Sequence, residues 1–350
     1  MIVELTDNVN IERFLTLASP RQLKDELPQV SRTARLVVDS RRTIGNILVG
    51  EDKRQIAIVG PCSLHDPDAA LEYAGKLAKL QTQVTDAVVI VMRAYFEKPR
   101  TTVGWKGMIY DPHLDNSYDI EEGLRRARGL LLAIAGMGVP TATEFLDPIV
   151  PQYLADAVSW AAIGARTTES QIHRQMVSGL SMPVGFKNST DGNLKPAVDA
   201  IKAASSAHSF LGVDRNGQVI VAETRGNKCG HLVMRGGLGQ PNYGSEYVAF
   251  AKELLHKAGI STGVIIDCSH ANSHKDHKQQ RLAFRDVADQ VRQGNTLIAG
   301  IMLESFLLEG KQPFDRPENL AYGVSLTDSC IGWEETEELI LALSEVQGKR

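Results

Sequence analysis

From Gln55 onward the chain alternates short apolar runs with longer amphipathic stretches, and it does so eight times. The short runs are Gln55–Val59, Ala87–Met92, Thr141–Phe145, Trp160–Ile163, Val184–Lys187, His231–Met234, Val264–Asp267 and Leu297–Met302. They are too brief for helices, and the most apolar of them suit strands covered on both faces. Between and after them lie Asp66–Leu80, Ile120–Met137, Glu169–Leu180, Leu194–Ala204, Glu246–Ala258, His277–Gln293 and Glu334–Val346, where apolar residues recur at three- and four-residue spacing. In Ile120–Met137, Leu124, Ala127, Leu131 and Ile134 share one face, and Arg125, Arg126 and Arg128 are placed away from it. Eight strand–helix units predict an α/β chain folded as a (β/α)8 TIM barrel, for which ~250 residues plus insertions is the usual length. An open doubly wound sheet is the alternative, but no Gly-x-Gly-x-x-Gly turn follows the first strand.

Residues 1–50 form a polar approach segment broken by Pro20 and Pro28, with a helix expected from Ser31 toward Leu48. Nothing in its pattern requires it to join the core. It is read as an N-terminal extension with regulatory or oligomer contacts, and residues 51–350 as the catalytic barrel. Two insertions interrupt the barrel rhythm. Glu97–Asp119 is a long loop after the second strand, rich in Lys, Arg, Gly and Pro, and is expected to act as a substrate lid. Phe210–Glu223 has two β-prone arms around Arg215-Asn216-Gly217, which predicts an inserted β-hairpin at about 209–224.

With 43% hydrophobic and 23% charged residues, the chain can bury a core without staples. A net charge of -4 argues against a general nucleic-acid binder. Cys62, Cys229, Cys268 and Cys330 follow neither a zinc-finger nor a disulfide-scaffold spacing, so a reducing, cytoplasmic setting is expected. The acidic amino terminus lacks the pattern of a signal peptide. No apolar run approaches the roughly 18 residues needed to span a bilayer.

The carboxyl ends of the eight strands carry two populations of residues. Arg93, Lys98, Arg100, Arg166, Lys187 and Arg235 follow apolar strands and converge on one barrel mouth if the fold is right. So many cations would repel each other without an anion among them, and arginine forks and lysine ammonium groups fit phosphate oxygens. One or two phosphorylated substrates are therefore expected. Cys62, His270, Glu304 and Asp328 come from separate strand ends. A lone thiol or imidazole in such a place is usually packing, but together the four are a metal set. A mixed sulfur, nitrogen and oxygen shell fits Mn²⁺, Fe²⁺, Co²⁺ or Zn²⁺. A Schiff-base aldolase using Lys187 and a non-catalytic amino-acid-sensing barrel are the rival readings.

Several of these turns are long motifs: Gly60-Pro-Cys-Ser63, Glu97-Lys-Pro-Arg-Thr101, Gly164-Ala-Arg-Thr-Thr-Glu-Ser170, Gly185-Phe-Lys-Asn188, Met234-Arg-Gly-Gly237 and Asp267-Cys-Ser-His-Ala-Asn272. Through them the chain resembles the type I 3-deoxy-D-arabino-heptulosonate 7-phosphate (DAHP) synthases, from Asp39 to Trp333. The resemblance implies a metal-dependent condensation of phosphoenolpyruvate with erythrose 4-phosphate. It implies that Cys62, His270, Glu304 and Asp328 hold one divalent ion, that phosphoenolpyruvate meets Arg93, Ala165, Arg166, Lys187 and Arg235, and that erythrose 4-phosphate meets Lys98, Pro99, Arg100 and Thr101. Lys98, Glu144 and His270 are the candidates for proton transfer. The resemblance also implies feedback by an aromatic amino acid at the hairpin, with Phe210 and Gly212 as regulatory residues and Gly212 leaning toward tyrosine, and a homodimer or homotetramer. One turn departs from the family pattern, with Ser189 where a glycine is usual. Cys330 is close enough in sequence to Asp328 for a bridge to Cys62 in oxidised, metal-free protein to be considered.

Overall fold

The computed structural model describes residues 6–348. Its eight barrel strands are β1 (Gln55–Gly60), β2 (Val88–Arg93), β3 (Thr141–Glu144), β4 (Trp160–Ile163), β5 (Val184–Lys187), β8 (Gly230–Met234), β9 (Val264–Asp267) and β10 (Ile298–Glu304). They close in the order β1-β10-β9-β8-β5-β4-β3-β2, and every neighbouring pair is parallel. The missing numbers belong to β6 (Ser209–Val213) and β7 (Val219–Glu223), the expected hairpin, which pairs antiparallel as a separate two-stranded sheet. All eight expected strands are present. β2 and β10 run further than the sequence pattern suggested, so Arg93 and Glu304 are the last residues of strands.

The helices are α1 (Pro20–Glu26), α2 (Ser31–Leu48), α3 (Pro67–Val84), α4 (Ile120–Gly136), α5 (Val150–Leu154), α6 (Gln171–Gly179), α7 (Lys195–Ala204), α8 (Ser245–Lys257), α9 (Gln280–Arg292) and α10 (Trp333–Gly348). Local chemistry explains their starts. Asp66 caps α3 by accepting from the amides of Asp68 and Ala69 ahead of Pro67, and Ser19 and Gln22 form a reciprocal cap on α1. The short α1 and α5 carry too few turns to show a periodic signal.

Side chains alternate across each strand. Ile56 and Ile58 point into the barrel with Val89, Val91, Trp160, Ala162, Val233, Ile265 and Met302, while Ala57 and Val59 join the larger core beneath the helices. Ile44, Ile47 and Leu48 of α2 belong to the inner group, so this helix joins the core and plugs the barrel. Burying each such side chain contributes about 1.5–3 kcal/mol. The N-terminal extension also reaches the hairpin, where the Arg21 amide donates to the Arg215 carbonyl at 2.7 Å.

Arg128 corrects the reading of α4. It does not lie on the solvated face with Arg125 and Arg126 but is 1% exposed, donating to the carbonyls of Leu27 and Tyr153 and to both oxygens of Asp156. Periodicity counted its charge as outward, whereas the guanidinium satisfies carbonyls at the ends of α1 and α5 that would otherwise be buried without partners.

Candidate metal centre and active site

Because the strands are parallel, their carboxyl ends share one mouth. A cavity of about 490 Å³ opens there. Its walls bring together Lys98, Pro99, Arg100 and Thr101 from the loop after β2, Ala165 and Arg166 after β4, Lys187 at the end of β5, and Arg235 after β8. Cys62, Glu144, His270 and Asp328 line the same space. Arg93 and Glu304 are set beneath it, both buried. Phe210 and Gly212 lie on the hairpin and are not part of this cavity.

Cys62 Sγ and one carboxylate oxygen each of Glu304 and Asp328 lie within 4.8 Å of one another, with Cys62 and Glu304 buried and Asp328 exposed at the mouth. His270 stands just outside this triad, its Nε2 3.8 Å from Glu304 Oε1. Its Nδ1 is 3.0 Å from Asp267 Oδ2 and 2.7 Å from Ser269 Oγ, whose own proton goes to Asp267 Oδ1. That hydrogen-bond order puts the imidazole proton on Nδ1 and leaves Nε2 free as a donor atom, the usual arrangement of a ligating histidine with a carboxylate behind it. Burial, reinforced by Glu304, pushes the Cys62 thiol up to about 11. A dication is the counter-charge such a thiolate requires. The residues present therefore fit one divalent ion bound by sulfur and oxygen, with imidazole nitrogen beside them.

Glu304 is held at its backbone by Gln280, which donates to its carbonyl and accepts from its amide. The Cys62 turn is tied to the Asp328 segment by Ser63 Oγ and Thr327 Oγ1, 2.8 Å apart. All four cysteines are free thiols.

Arg93 is clamped by Glu304 at 3.1 Å, by Met302 Sδ at 2.8 Å and by the Tyr95 ring, whose centroid is 4.1 Å from the guanidinium carbon. The Lys98 ammonium lies 5.6 Å from the same ring. Burial works against its charge, but Cys62 and Glu304 outweigh this and raise its pKa. Lys187 Nζ pairs with the buried Asp267 at 3.1 Å. A Schiff-base nucleophile needs a free, unprotonated amine, and this pairing commits Lys187 to a charged role instead. Arg235 is positioned through its amide, which donates to Asn188 Oδ1, and Arg166 Nη2 reaches Thr101 Oγ1 at 3.2 Å. Glu144 Oε1 is buried without a hydrogen-bond partner among the described residues, and a Cβ on Gly164 would come within 2.3 Å of it. Only glycine at position 164 leaves that carboxylate its place.

The turn with Ser189 in place of glycine is unstrained. Its φ is not positive, and its hydroxyl donates to Asp191, with the Asn193 carbonyl 3.0 Å away.

A sequence model of the DAHP synthetase I family matches residues 27–341. The chain belongs to that family. It is 51% identical over 345 residues to phospho-2-dehydro-3-deoxyheptonate aldolase, Trp-sensitive, of Escherichia coli, covering 99% of both chains. It is 50% identical over 335 residues to the Tyr-sensitive enzyme of that name from the same organism, covering 95% of this chain and 94% of the other. The solved structure of phospho-2-dehydro-3-deoxyheptonate aldolase from Francisella tularensis superposes with a TM-score of 0.95 at 46% identity, covering 97% of this chain and 99% of that one.

Strand-end reading missed several residues of this DAHP synthetase I site. Asp267, the buried partner of both Lys187 and His270, ends β9 and was legible by position alone. Tyr95 was not, because an aromatic after a strand reads as core. Thr190, Lys275 and Thr327 also line the cavity.

Proposed function

We infer that the chain condenses phosphoenolpyruvate with D-erythrose 4-phosphate and water, giving 3-deoxy-D-arabino-heptulosonate 7-phosphate and inorganic phosphate. This is the first step of the shikimate pathway, toward chorismate and the aromatic amino acids. The observation that carries the reading is a single cavity with two chemistries: Lys98, Arg100, Arg166, Lys187 and Arg235 share it with Cys62, His270 and Asp328. Cations in that number suit two phosphorylated substrates beside a Lewis acid.

Arg166, Lys187 and Arg235, with Ala165 between strands and Arg93 beneath, suit the carboxylate and phosphate of phosphoenolpyruvate. Arg100 and Thr101, with Lys98 and Pro99, suit the phosphate of erythrose 4-phosphate. A divalent ion held by Cys62, Glu304, Asp328 and His270 Nε2 supplies Lewis-acid polarisation of the aldehyde. His270 serves as a ligand, so proton transfer falls to Lys98 and Glu144. As C3 of phosphoenolpyruvate bonds to the aldehyde carbon, Lys98 Nζ gives a proton to the carbonyl oxygen, and positive charge develops at C2. Water adds at C2 and loses a proton to Glu144 Oε1, which has no hydrogen-bond partner among the described residues. The resulting hemiketal phosphate breaks its C2–O bond, and its hydroxyl proton leaves with the phosphate as C2 becomes a ketone. The cationic walls stabilise the anions throughout.

Phosphate release that needs both substrates, stops with chelator and returns with Mn²⁺ tests this reading. Release from phosphoenolpyruvate alone, or indifference to the chelator, overturns it.

An aromatic amino acid effector at the hairpin belongs to the same proposal. Phe210, Gly212, Ile220 and Ala222 share its half-buried face, and Gly212 leaves a notch there, its nearest neighbours for an added Cβ being 3.6 Å away. By family resemblance Gly212 leans toward tyrosine over phenylalanine, with tryptophan-type relatives equally similar along the chain; inhibition assays with tyrosine, phenylalanine and tryptophan decide. The other hairpin face exposes Leu211, Val219 and Val221, and the extended arm exposes Phe14 and Leu15. Such apolar exposure supports a homodimer or homotetramer. The free thiols support a cytoplasmic location, and among the described residues no helix is long and apolar enough to cross a membrane.

A further inference from the structure

Glu97 opens the Glu97–Asp119 loop, one residue ahead of Lys98, and is 2% exposed. Its carboxylate accepts from the amides of Leu146 at 3.3 Å and Asp147 at 3.0 Å, in the segment after β3. The Tyr110 hydroxyl, on the returning arm of the same loop, lies 3.3 Å from Glu97 Oε1 and 3.4 Å from Asp147 Oδ2. Two carboxylates thus share one hydroxyl proton. With both ionised, Tyr110 can donate to only one of them, and the other faces a phenol oxygen as an uncompensated acceptor. A second proton, placed on Glu97, completes the set: Glu97 donates to Tyr110, and Tyr110 donates to Asp147. Burial, with Asp147 and Glu144 adding to it, pushes the Glu97 carboxyl up to about 8 against the pull of the two amides. Among the described residues no cation pairs with it.

The two arms of the loop meet at this point with no slack. Lys98 N donates to the Lys106 carbonyl and Ile109 N to the Phe96 carbonyl. A Cβ on Gly107 would stand 2.1 Å from the Phe96 oxygen. Beyond this neck the arm carries Arg100 and Thr101, and Thr101 meets Arg166. On the other side His173 of α6 bonds to the Leu146 carbonyl through Nε2 and to Ser170 through Nδ1. The neck is therefore braced against β3 and against the segment that carries Arg166.

We propose that Glu97 is a positioning residue for the aldehyde substrate: with Tyr110 and Asp147 it clamps the neck of the loop, holds the Lys98–Thr101 arm over the mouth, and closes on one extra proton. The substrate named here rests on the condensation inferred above; the clamp does not. Trypsin cleavage after Arg100 in the free full-length protein, near pH 7 and near pH 9 and normalised to an unstructured peptide, reads the clamp without turnover. Wild type should be cut about tenfold faster at the higher pH, as expected one unit either side of a group titrating near 8. Asp147→Asn, which removes the competing carboxylate, should be cut at the same rate at both.

In metal-loaded protein the KM for erythrose 4-phosphate should rise with pH in wild type while the KM for phosphoenolpyruvate stays level, and Asp147→Asn should flatten the rise. Both phosphates lose their second proton near pH 6, so substrate ionisation does not mimic this. Glu97→Gln, which stays neutral and keeps a donor for Tyr110, should leave the KM for erythrose 4-phosphate level between the two pH values. Equal cleavage of wild type at the two pH values, or both KM values moving together, overturns the clamp. A wild type without any turnover overturns the condensation instead and leaves the cleavage result to judge the clamp.

Discussion

Arg93 and Glu304 meet inside the barrel at 3.1 Å, with 1% and 3% of their side chains exposed. One ends β2 and the other ends β10, and β1 runs between those strands, so the pair sits beside the turn that carries Cys62. Removing the guanidinium leaves Glu304 buried and unpaired, which typically costs about 3–5 kcal/mol. Arg93→Met should therefore lower the metal-free stability by that order in denaturant titration. Mn²⁺ should raise its Tm more than it raises that of wild type, because the ion then supplies positive charge to a Glu304 that has lost its paired guanidinium.

Cys62→Ser should abolish metal-dependent condensation while leaving the far-UV circular dichroism unchanged. A hydroxyl does not replace a thiolate in a shell that otherwise offers only oxygen and nitrogen. Equilibrium dialysis with Mn²⁺ should show weakened binding; near-normal turnover with added Mn²⁺ would refute the assignment.

Glu144→Gln should lower kcat by about 10²–10⁴-fold, the range for a lost proton-transfer group, with little change in either KM. Gly164→Ala should act in the same direction, because its Cβ takes the place of Glu144 Oε1. A Gly164→Ala enzyme with full kcat would show that this oxygen is not needed where it stands.

His231 gives the pH dependence. Trp160 Nε1 can only donate, so His231 Nε2 accepts at 3.0 Å and Nδ1 carries the proton toward the Cys229 carbonyl. Burial lowers the imidazole to about 4 from an ordinary 6.5. Its neutral form is the one folded into the core, so its contribution is present above pH 6.5 and lost as pH falls toward 4. The loss is roughly 3 kcal/mol at about 1.4 kcal/mol per unit. His231→Gln should lack that acid slope in denaturant melts between those pH values; an unchanged slope would move its origin elsewhere.

Arg128→Met should destabilise the protein by about 3 kcal/mol, toward the lower end of the cost of breaking a buried pair, because Asp156 keeps some contact with water. Limited proteolysis should show α1 released first, since Arg128 holds the Leu27 carbonyl at its end.

The repeating architecture was legible because its cause is local. A strand buried on both faces must be a short apolar run, and a helix over it must be apolar at three- and four-residue spacing, so eight units can be counted along the chain. The strand ends were legible for the same reason, and they placed Cys62, Lys187, Arg235 and His270 at the mouth where the cavity opens. What lay out of reach depends on partners far apart in sequence. Arg128 reads as a solvated charge until Leu27 and Asp156 are brought to it. α2 reads as an approach segment until Ile44 and Leu48 close the barrel.

The sequence by itself determined the alternation of elements and the residue types delivered to the mouth, since both follow from burial period and strand direction. Only the tertiary structure decided which charges neutralise one another. Closing the barrel set Lys187 on Asp267 and Arg93 on Glu304, and brought Glu97, Tyr110 and Asp147 to share protons. Those pairings follow from the curvature and register of a closed sheet, which no local pattern encodes.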